Sequence, residues 1–434
     1  MFKWNFIQLD EVCTFEKGKT GLAKAVEGKY ILVATGKDRK SCDNYQFNTK
    51  AVCIPLVSST GHGHASLKNV HYQEGKFALG TILVAVIPKD ENILNAQFLH
   101  LYLSRLKDTI LVPLMTGAAN VTLTVTKLKK VKVPLPPIEE QLRIVSLFNR
   151  MDTEQAELTD EITHQQTLLK KLRQSILQEA IEGKLTASWR EKNPTVESAS
   201  VLLEKIKVEK EKLVKEKKIK KQKPLPPINK NEIPFDIPDG WEWCRLGDIS
   251  NVKVGSTPSR PITEYWNGNI NWVSSGEVAN NFIYSTKESI TEKGFNSTSL
   301  IIYPKGSVLV AMIGQGKTRG QTSILKINAT INQNVAGIVF EYNNIISEYI
   351  WNFFLSRYEL TRSGASGGNQ PALNGTKIKN TLLPLPPLKE QKEIVKKIES
   401  LFKICDELEN QINSSKVNAQ MMMQSVLKEA FEDK

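Results

Sequence analysis

The stretch Ala311-Met312-Ile313-Gly314-Gln315-Gly316-Lys317-Thr318 has the residue types of a phosphate-binding loop, with alanine where the first glycine is usual. Such a loop works when a helix begins at its lysine, so that free backbone amides and the helix dipole face the phosphate. Here Arg319-Gly320-Gln321-Thr322-Ser323-Ile324-Leu325 follows, glycine-interrupted and strand-like. No apolar strand ending in an acid offers itself for magnesium. Nucleotide hydrolysis is disfavoured. On an exposed loop the same Gln315, Lys317, Thr318, Arg319 and Gln321 suit phosphates and base edges.

Gly61-His62-Gly63-His64, with His71 and His100 nearby, raises the question of metal. Two histidines two residues apart can share a ligand face, but no cysteine or acid cluster completes a set. The competing reading is a polar loop that presents His62 and His64 to DNA. A methyltransferase-type N-P-P-aromatic motif is absent, since Pro136-Pro137, Pro226-Pro227 and Pro386-Pro387 all follow leucine. A nuclease-type P-D…E-x-K set can only be forced, through Glu216-Lys217-Lys218. The expectation is a chain with no catalytic residues, no metal and no cofactor of its own.

Binding chemistry remains. The second half holds Ser256, Thr257 and Arg260, then Tyr265-Trp266-Asn267-Gly268-Asn269 through Trp272. Later come Asn332-Gln333-Asn334 and the glycine-rich Arg362 to Asn369-Gln370. Asparagine, glutamine and arginine can form paired hydrogen bonds to base edges, and glycine lets backbone approach closely. Trp266 and Trp272 are expected in the core rather than as base-stacking platforms. In the first half the DNA-facing candidates are Lys17, Lys19, Lys37, Arg39, Lys40, His62, His64 and Asn120.

Charge points the same way, with reservations built into its distribution. Lysine and arginine outnumber the acids by 58 to 46, a net charge of +12 that suits a polyanion. Ten lysines against five glutamates lie between Glu197 and Lys223, and a solvated helix explains that run equally well.

The elements that position these groups follow from an internal repeat. Thr126-Lys127-Leu128-Lys129 through Leu135-Pro136-Pro137-Ile138-Glu139-Glu140-Gln141 returns as Thr376-Lys377-Ile378-Lys379 through Leu385-Pro386-Pro387-Leu388-Lys389-Glu390-Gln391, at an offset of 376 − 126 = 250. Trp4 to Lys19 aligns with Trp241 to Ser256 at an offset of 241 − 4 = 237. The ends of the two copies are alike and their middles hardly alignable, as expected of one scaffold carrying two different readers.

Each copy closes on a long helix. The proline pair serves as its start, and Glu139, Glu140 and Glu390 favour the positive end of its dipole. A heptad-like seam follows through Ile144, Phe148, Met151, Gln155, Leu158, Ile162, Gln165, Leu169, Leu172 and Ile176. Its counterpart is Ile394, Ile398, Leu401, Cys405, Leu408, Ile412, Ser415, Ala419, Met422 and Val426. Such a seam predicts coiled-coil packing, each helix pairing with the other about a pseudo-two-fold axis. The polar Gln155, Gln165 and Ser415 are read either as tolerated positions or as register-fixing ones.

The predicted organisation is a mixed α/β (α+β) domain over residues 1–137, then a central long helix and lysine-rich second helix over 138–222. A proline-rich linker over 223–240, a second domain over 241–387 and a C-terminal long helix over 388–434 complete it. Residues 189–194 read as a turn and Glu197 to about Lys221 as the second helix. Strands are expected at 79–87 and 306–313, and short helices at 97–107 and 347–358. The five cysteines show no CxxC spacing and read as reduced, half-buried thiols in a cytoplasmic protein. No apolar run approaches the ~18 residues of a membrane helix, and the N-terminal residues lack a signal-peptide pattern.

Taken together, these motifs resemble the specificity subunit of a type I restriction-modification system. The resemblance rests on the duplicated L-P-P-[IL]-x-E-Q opening of a long helix and the entry Ile237-Pro238-Asp239-Gly240-Trp241-Glu242-Trp243. It rests also on Tyr265-Trp266-Asn267-Gly268 with the Thr330 to Asn334 stretch, and on the glycine-rich loop before PLPP; the first middle lacks a YWNG-like segment. The resemblance implies two target recognition domains held apart by an antiparallel helix pair, each reading one half of a split, asymmetric sequence in double-stranded DNA. It implies two modification subunits using S-adenosylmethionine and two restriction subunits using ATP and magnesium. The helix pair would then act as a ruler, testable by heptad insertion at Leu158 with target mapping. The alternatives are a subunit of a related system that cuts beside its site, a non-DNA coiled-coil adaptor, or an enzyme in its own right.

Overall fold

The computed structural model describes residues 4–60, 63–118, 120–217, 219, 223–314, 317–340, 345–359 and 373–431. Contacts divide the chain into two compact units, Met1–His164 with Ile412–Lys434, and Gln165–Gln411. Each long helix gives one stretch to each unit.

Unit 1 contains β1 (Phe6–Gln8), β2 (Cys13–Lys17), β3 (Tyr30–Val33), β4 (Lys40–Cys42) and β5 (Phe47–Asn48). It continues with β6 (Ala51–Pro55), β7 (His71–Gln73), β8 (Lys76–Leu79), β9 (Leu83–Pro88), α1 (Ala96–Arg105) and β10 (Lys132–Pro134). The first part of α2 (Ile138–Ile181) completes the segment, and the end of the last helix joins it. Among the described residues two four-stranded sheets form, ordered β2-β9-β6-β7 and β4-β3-β8-β5. Strands β6 and β9 read as unbroken apolar runs because both faces are covered. Val52, Ile54, Val84 and Val86 join Phe98, Leu99 and Tyr102 of α1 in one core. The alternate residues Ala51, Cys53, Leu83 and Ala85 meet Val33, Phe47, Phe77 and Leu79 of the second sheet.

Unit 2 contains the rest of α2, then α3 (Ala187–Lys192) and α4 (Ala199–Lys215). Its strands are β11 (Glu242–Arg245), β12 (Asn251–Val254), β13 (Trp266–Val273), β14 (Phe282–Ile283) and β15 (Glu288–Ile290). They continue as β16 (Val308–Ala311), β17 (Thr322–Leu325), β18 (Thr330–Ile331), β19 (Val335–Val339) and β20 (Leu382–Leu385). Helix α5 (Ser347–Ser356) precedes β20, and α6 (Leu388–Phe431) follows it. The sheets are ordered β12-β19-β16-β17-β14 and β15-β13-β18.

The two recurring sequence ends are partners of each other. In unit 1 β1 runs antiparallel to β10, Phe6 opposite Pro134. In unit 2 β11 runs antiparallel to β20, Glu242 opposite Leu385. Each unit is thus closed by a two-stranded clasp that leads directly into a long helix. The middles, unalike in sequence, also share a strand plan: β2-β9-β6-β7 of unit 1 matches β12-β19-β16-β17 of unit 2.

Within unit 1, Phe148 of α2 stacks on Phe431 near the end of α6, at 5.9 Å between ring centroids. Within unit 2, Arg173 late in α2 pairs with Asp406 at 2.6 Å and Glu409 at 3.2 Å, early in α6. In both units, therefore, the two helices pair in opposite directions. The seam is unevenly filled. Ile144, Phe148, Ile162, Leu169, Ile176, Ile394, Ile398 and Cys405 are buried, and Met151, Leu401, Ile412 and Val426 partly so. Leu158, Leu172, Leu408 and Met422 depart from the expectation, being 37%, 45%, 40% and 66% exposed. Strict heptad packing does not run unbroken along these helices.

Several local expectations are corrected. Residues 189–194 are not all turn, since α3 continues through Lys192. The lysine-rich helix is α4, shorter than expected at Ala199–Lys215, and it buries Leu202 and Ile206. The proline-rich stretch is extended apart from a 3-10 turn at Lys230–Glu232, and it is held in place. Arg245, 5% exposed, donates to the carbonyls of Pro226 at 2.7 Å, Pro227 at 3.0 Å and Asn380 at 2.9 Å. All five cysteines are free and fully buried rather than half-buried. Burial pushes the Cys13 and Cys53 thiols up to about 12, so both are inert. Among the described residues no helix is long and apolar enough to cross a membrane.

Candidate nucleic-acid interface

The strands on either side of the phosphate-loop candidate pair with each other, and Gln315 and Gly316 within it lie outside the described residues. Strand β17, next after β16 in the chain, runs antiparallel to it, Val310 opposite Thr322. Residues 317–320 are a turn and no helix begins at Lys317, so the helix end that such a cradle uses is missing there. The loop instead stands at one end of the main sheet, beside two other loops. Gly255 and Ser256 follow β12, and the amide of Ser256 donates to the Ile331 carbonyl at 3.0 Å. Residues 332–334 lead into β19, and Met312 N–H donates to the Asn334 carbonyl at 2.8 Å. Ser256, Thr257, Gln333, Asn334 and the 317–321 turn are thereby gathered at one sheet end.

Unit 1 repeats this arrangement. The loops after β2 and β6 leave the sheet at the start of β9, where Lys17 faces Val84 and Pro55 faces Leu83. The loop after β6 holds His64, and Ser58 N–H donates to the Val121 carbonyl at 2.9 Å, next to Asn120. Lys17, Lys19, His64 and Asn120, all exposed, share this end. The histidine loop of unit 1 and the lysine turn of unit 2 therefore occupy the same place in the common strand plan. Both units use glycine where the chain leaves the first strand of that sheet. A Cβ on Gly18 would lie 2.1 Å from the Gly80 carbonyl oxygen, and one on Gly255 1.9 Å from that of Ile331.

Individual candidates fare differently. Asn332 is 7% exposed, and its Oδ1 accepts from Asn334 N–H at 3.1 Å, so it shapes the loop from inside. Arg260 is exposed but engaged: its guanidinium lies 3.9 Å from the Trp266 ring centroid and 4.9 Å from that of Trp272, and it pairs with Glu288. That hydrogen-bonded pair holds the Glu288 carboxyl below the usual carboxylate range. Trp272 is core at 1% exposed, and Trp266 is half-buried. Thr257 donates to Gln333 Oε1. Tyr265, Thr318, Arg319 and Gln321 are partly buried, while Asn269 and Lys317 are exposed.

Arg39 is likewise tied down. It reaches Gln73 Oε1 at 3.1 Å, the Tyr72 carbonyl at 3.1 Å and His71 Nδ1 at 3.0 Å. Lys37 and Lys40 are exposed beside it. His100 Nε2 lies 3.0 Å from the Val70 carbonyl, so these two histidines serve packing rather than a shared ligand site. His62, Gln315, Arg362, Asn369 and Gln370 lie outside the described residues.

Two positioning residues carry no signal in the sequence. Gln46 accepts from Lys19 N–H at 2.9 Å and donates to Glu16 and to the Lys17 carbonyl, both at 2.9 Å. Glu288 fixes Arg260 from a strand 28 positions away. Neither partner is near in sequence, and no spacing rule links them.

The model of the type I restriction modification DNA specificity domain matches residues 1–166 and 238–415. The type I restriction enzyme EcoAI specificity subunit of Escherichia coli is 31% identical over 339 residues, 65% of this chain and 55% of that one. The chain thus spans little more than half of that relative. The EcoDI specificity subunit of Escherichia coli is 23% identical over 441 residues, covering 99% of this chain and 88% of that one. Among solved structures, a chain from a study of complex assembly and conformational transition of the type I R-M system has a TM-score of 0.66 at 16% identity, covering 99% of this chain and 97% of that chain. The HsdS subunit from Thermoanaerobacter tengcongensis has a TM-score of 0.58 at 17% identity, covering 99% and 96%. The two structures share the fold. With two tandem mixed α/β units, two long helices and both family segments in place, the chain belongs to the type I restriction-modification specificity family.

Proposed function

We propose that this chain is the DNA-reading, non-catalytic subunit of a type I restriction-modification complex acting in the cytoplasm. The observation that carries the reading is the duplicated strand plan, with different loops at the same sheet end of each unit. One reader per unit gives a target in two halves. Lys17, Lys19, His64 and Asn120 would face one half-site, and Ser256, Thr257, Gln333, Asn334 and Lys317 to Gln321 the other. Arg260 and Arg39 would position neighbouring loops, because their donors are already engaged.

The domains at 1–137 and 241–387 would be the readers. The helices over 138–222 and 388–434, with the 223–240 linker, would set the spacer and dock two modification subunits. Those subunits would supply S-adenosylmethionine chemistry, and two restriction subunits ATP-driven cleavage. A net charge of +12 favours a polyanion and predicts affinity that falls steeply with salt.

The test is selection of bound sequences from a random DNA library by this chain together with its modification subunit. A split motif with a constant gap is expected. Substituting Lys317 and Gln321 should alter one half of the motif and leave the other half and the gap unchanged. Enrichment of no motif at low salt would overturn the reading.

A further inference from the structure

The two units carry the same pair of residues, a glutamate at the start of a long helix and the tryptophan that opens the unit. In unit 2 they form a cradle, and it is filled. Glu390 is 1% exposed; its Oε1 accepts from Thr186 Oγ1 at 2.7 Å and Arg190 Nη1 at 2.6 Å, and its Oε2 accepts from Trp241 Nε1 at 2.9 Å. The filling segment follows α2. Gly183 turns the chain at φ +73°, Lys184–Thr186 makes one 3-10 turn, and α3 brings the Arg190 guanidinium to 6.0 Å from the Trp241 ring centroid. Lys397 Nζ secures the Leu185 carbonyl at 2.9 Å.

In unit 1 the corresponding residues are Glu140 and Trp4, by the offsets of 250 and 237. Glu140 pairs with Arg143 on its own helix at 2.7 Å, and Trp4 is partly buried against the core of the unit. Arg143 pairs with this charge, and among the described residues no segment covers the apolar floor as residues 184–190 do in unit 2. A groove of about 1300 Å³ lies here, walled by Met151 and Leu158 of α2 and Met422, Met423 and Val426 of α6. The α6 wall differs from its counterpart in kind. Met422 and Met423 stand where α2 has Leu172 and Arg173, and Arg173 is spent on Asp406 and Glu409. Methionines make an apolar wall that adapts to an incoming side chain.

We propose that this groove docks a helical turn of another polypeptide, bearing a hydroxyl residue and an arginine four positions later. The filled cradle of unit 2 supplies the template: Thr186 and Arg190 have that spacing, and Leu185 lies beside them. The incoming arginine takes Glu140 from Arg143 while the apolar side of the turn covers the methionines. The inference concerns unit 1 alone and holds whatever the loops of either unit bind.

The probe is a synthetic peptide of residues 183–192, GKLTASWREK, titrated into the full chain by calorimetry without DNA. One saturable site per chain is expected, weakened at least about tenfold by Arg190→Ala in the peptide. Met422→Glu and Glu140→Lys in the protein should each weaken it comparably. Met422 is largely exposed, so its variant folds independently of the outcome. A chain carrying the same ten residues fused after Lys434 should no longer take up the peptide. Binding no tighter than that of a scrambled peptide at about 1 mM would overturn the proposal. So would binding unchanged by both protein substitutions.

Discussion

The backbone amide of Asn95 donates a 2.9 Å hydrogen bond to Oε1 of Gln141. Asn95 caps α1, and Gln141, fully buried, sits in the first turn of α2, so one side chain fixes a helix of the domain to a long helix. Its Nε2 also donates to the carbonyls of Ile93 at 2.9 Å and Pro136 at 2.8 Å. Unit 2 repeats the contact: Ile346 N–H donates to Gln391 Oε1 at 3.0 Å, and Gln391 Nε2 to the Pro386 carbonyl at 3.0 Å. The glutamine closing each PLPP motif is the joint between domain and helix.

Removing that joint strands buried backbone groups without partners. Gln141→Ala and Gln391→Ala should each cost about 3 kcal/mol of unfolding free energy. Urea denaturation of the full chain reads this directly. A loss below about 1 kcal/mol at either site would mean that water replaces the side chain there.

Phe431 anchors the end of α6 in unit 1, with ring centroids 6.0 Å from Phe98, 5.4 Å from Tyr102 and 5.9 Å from Phe148. Phe431→Ala should cost about 3–4 kcal/mol through lost burial and the cavity left behind. Amide exchange should accelerate over residues 412–431 and leave 388–411 largely protected. Equal acceleration along the whole helix would contradict this anchoring.

His71 gives the first unit a predictable acid sensitivity. It is 6% exposed and accepts from Arg39, and burial first, then the Arg39 charge, push its pKa down to about 4. The unfolded value is about 6.5, so only the unfolded state binds this proton between those limits. Stability from His71 is therefore complete above pH ~6.5 and falls by up to about 1.4 kcal/mol per pH unit towards pH ~4. Burial lowers His100 in the same direction. His71→Gln should flatten the slope measured by denaturation across this range. An unaltered slope would show that folding does not lower the pKa of His71.

The ruler role is tested by lengthening both helices together. Seven residues added after His164 and seven after Gln411 extend each helix by about 10 Å. At ~3.4 Å per base pair the gap in the selected motif should grow by about three base pairs, with both half-sites unchanged. An unchanged gap would separate spacer length from the helices and leave the reading role of the loops standing.

The sequence by itself determined the duplication, the two long helices and their start at the proline pairs. Those features are written in local terms: an exact offset, a proline pair followed by acids, and a repeating apolar stripe. It also weighed against a phosphate loop, because a strand-like run follows Lys317 where a helix is required. Only the tertiary structure decided what the recurring ends do, since β1 meets β10 and β11 meets β20 across more than a hundred residues. It alone showed that the dissimilar middles share a strand plan, because β6 and β16 keep only their apolar character and not their residues. The fates of Arg260 and Arg39 were hidden for the same reason. Whether a polar side chain faces DNA or braces a loop depends on which partner the fold brings to it, and Glu288 and His71 lie far away in the chain.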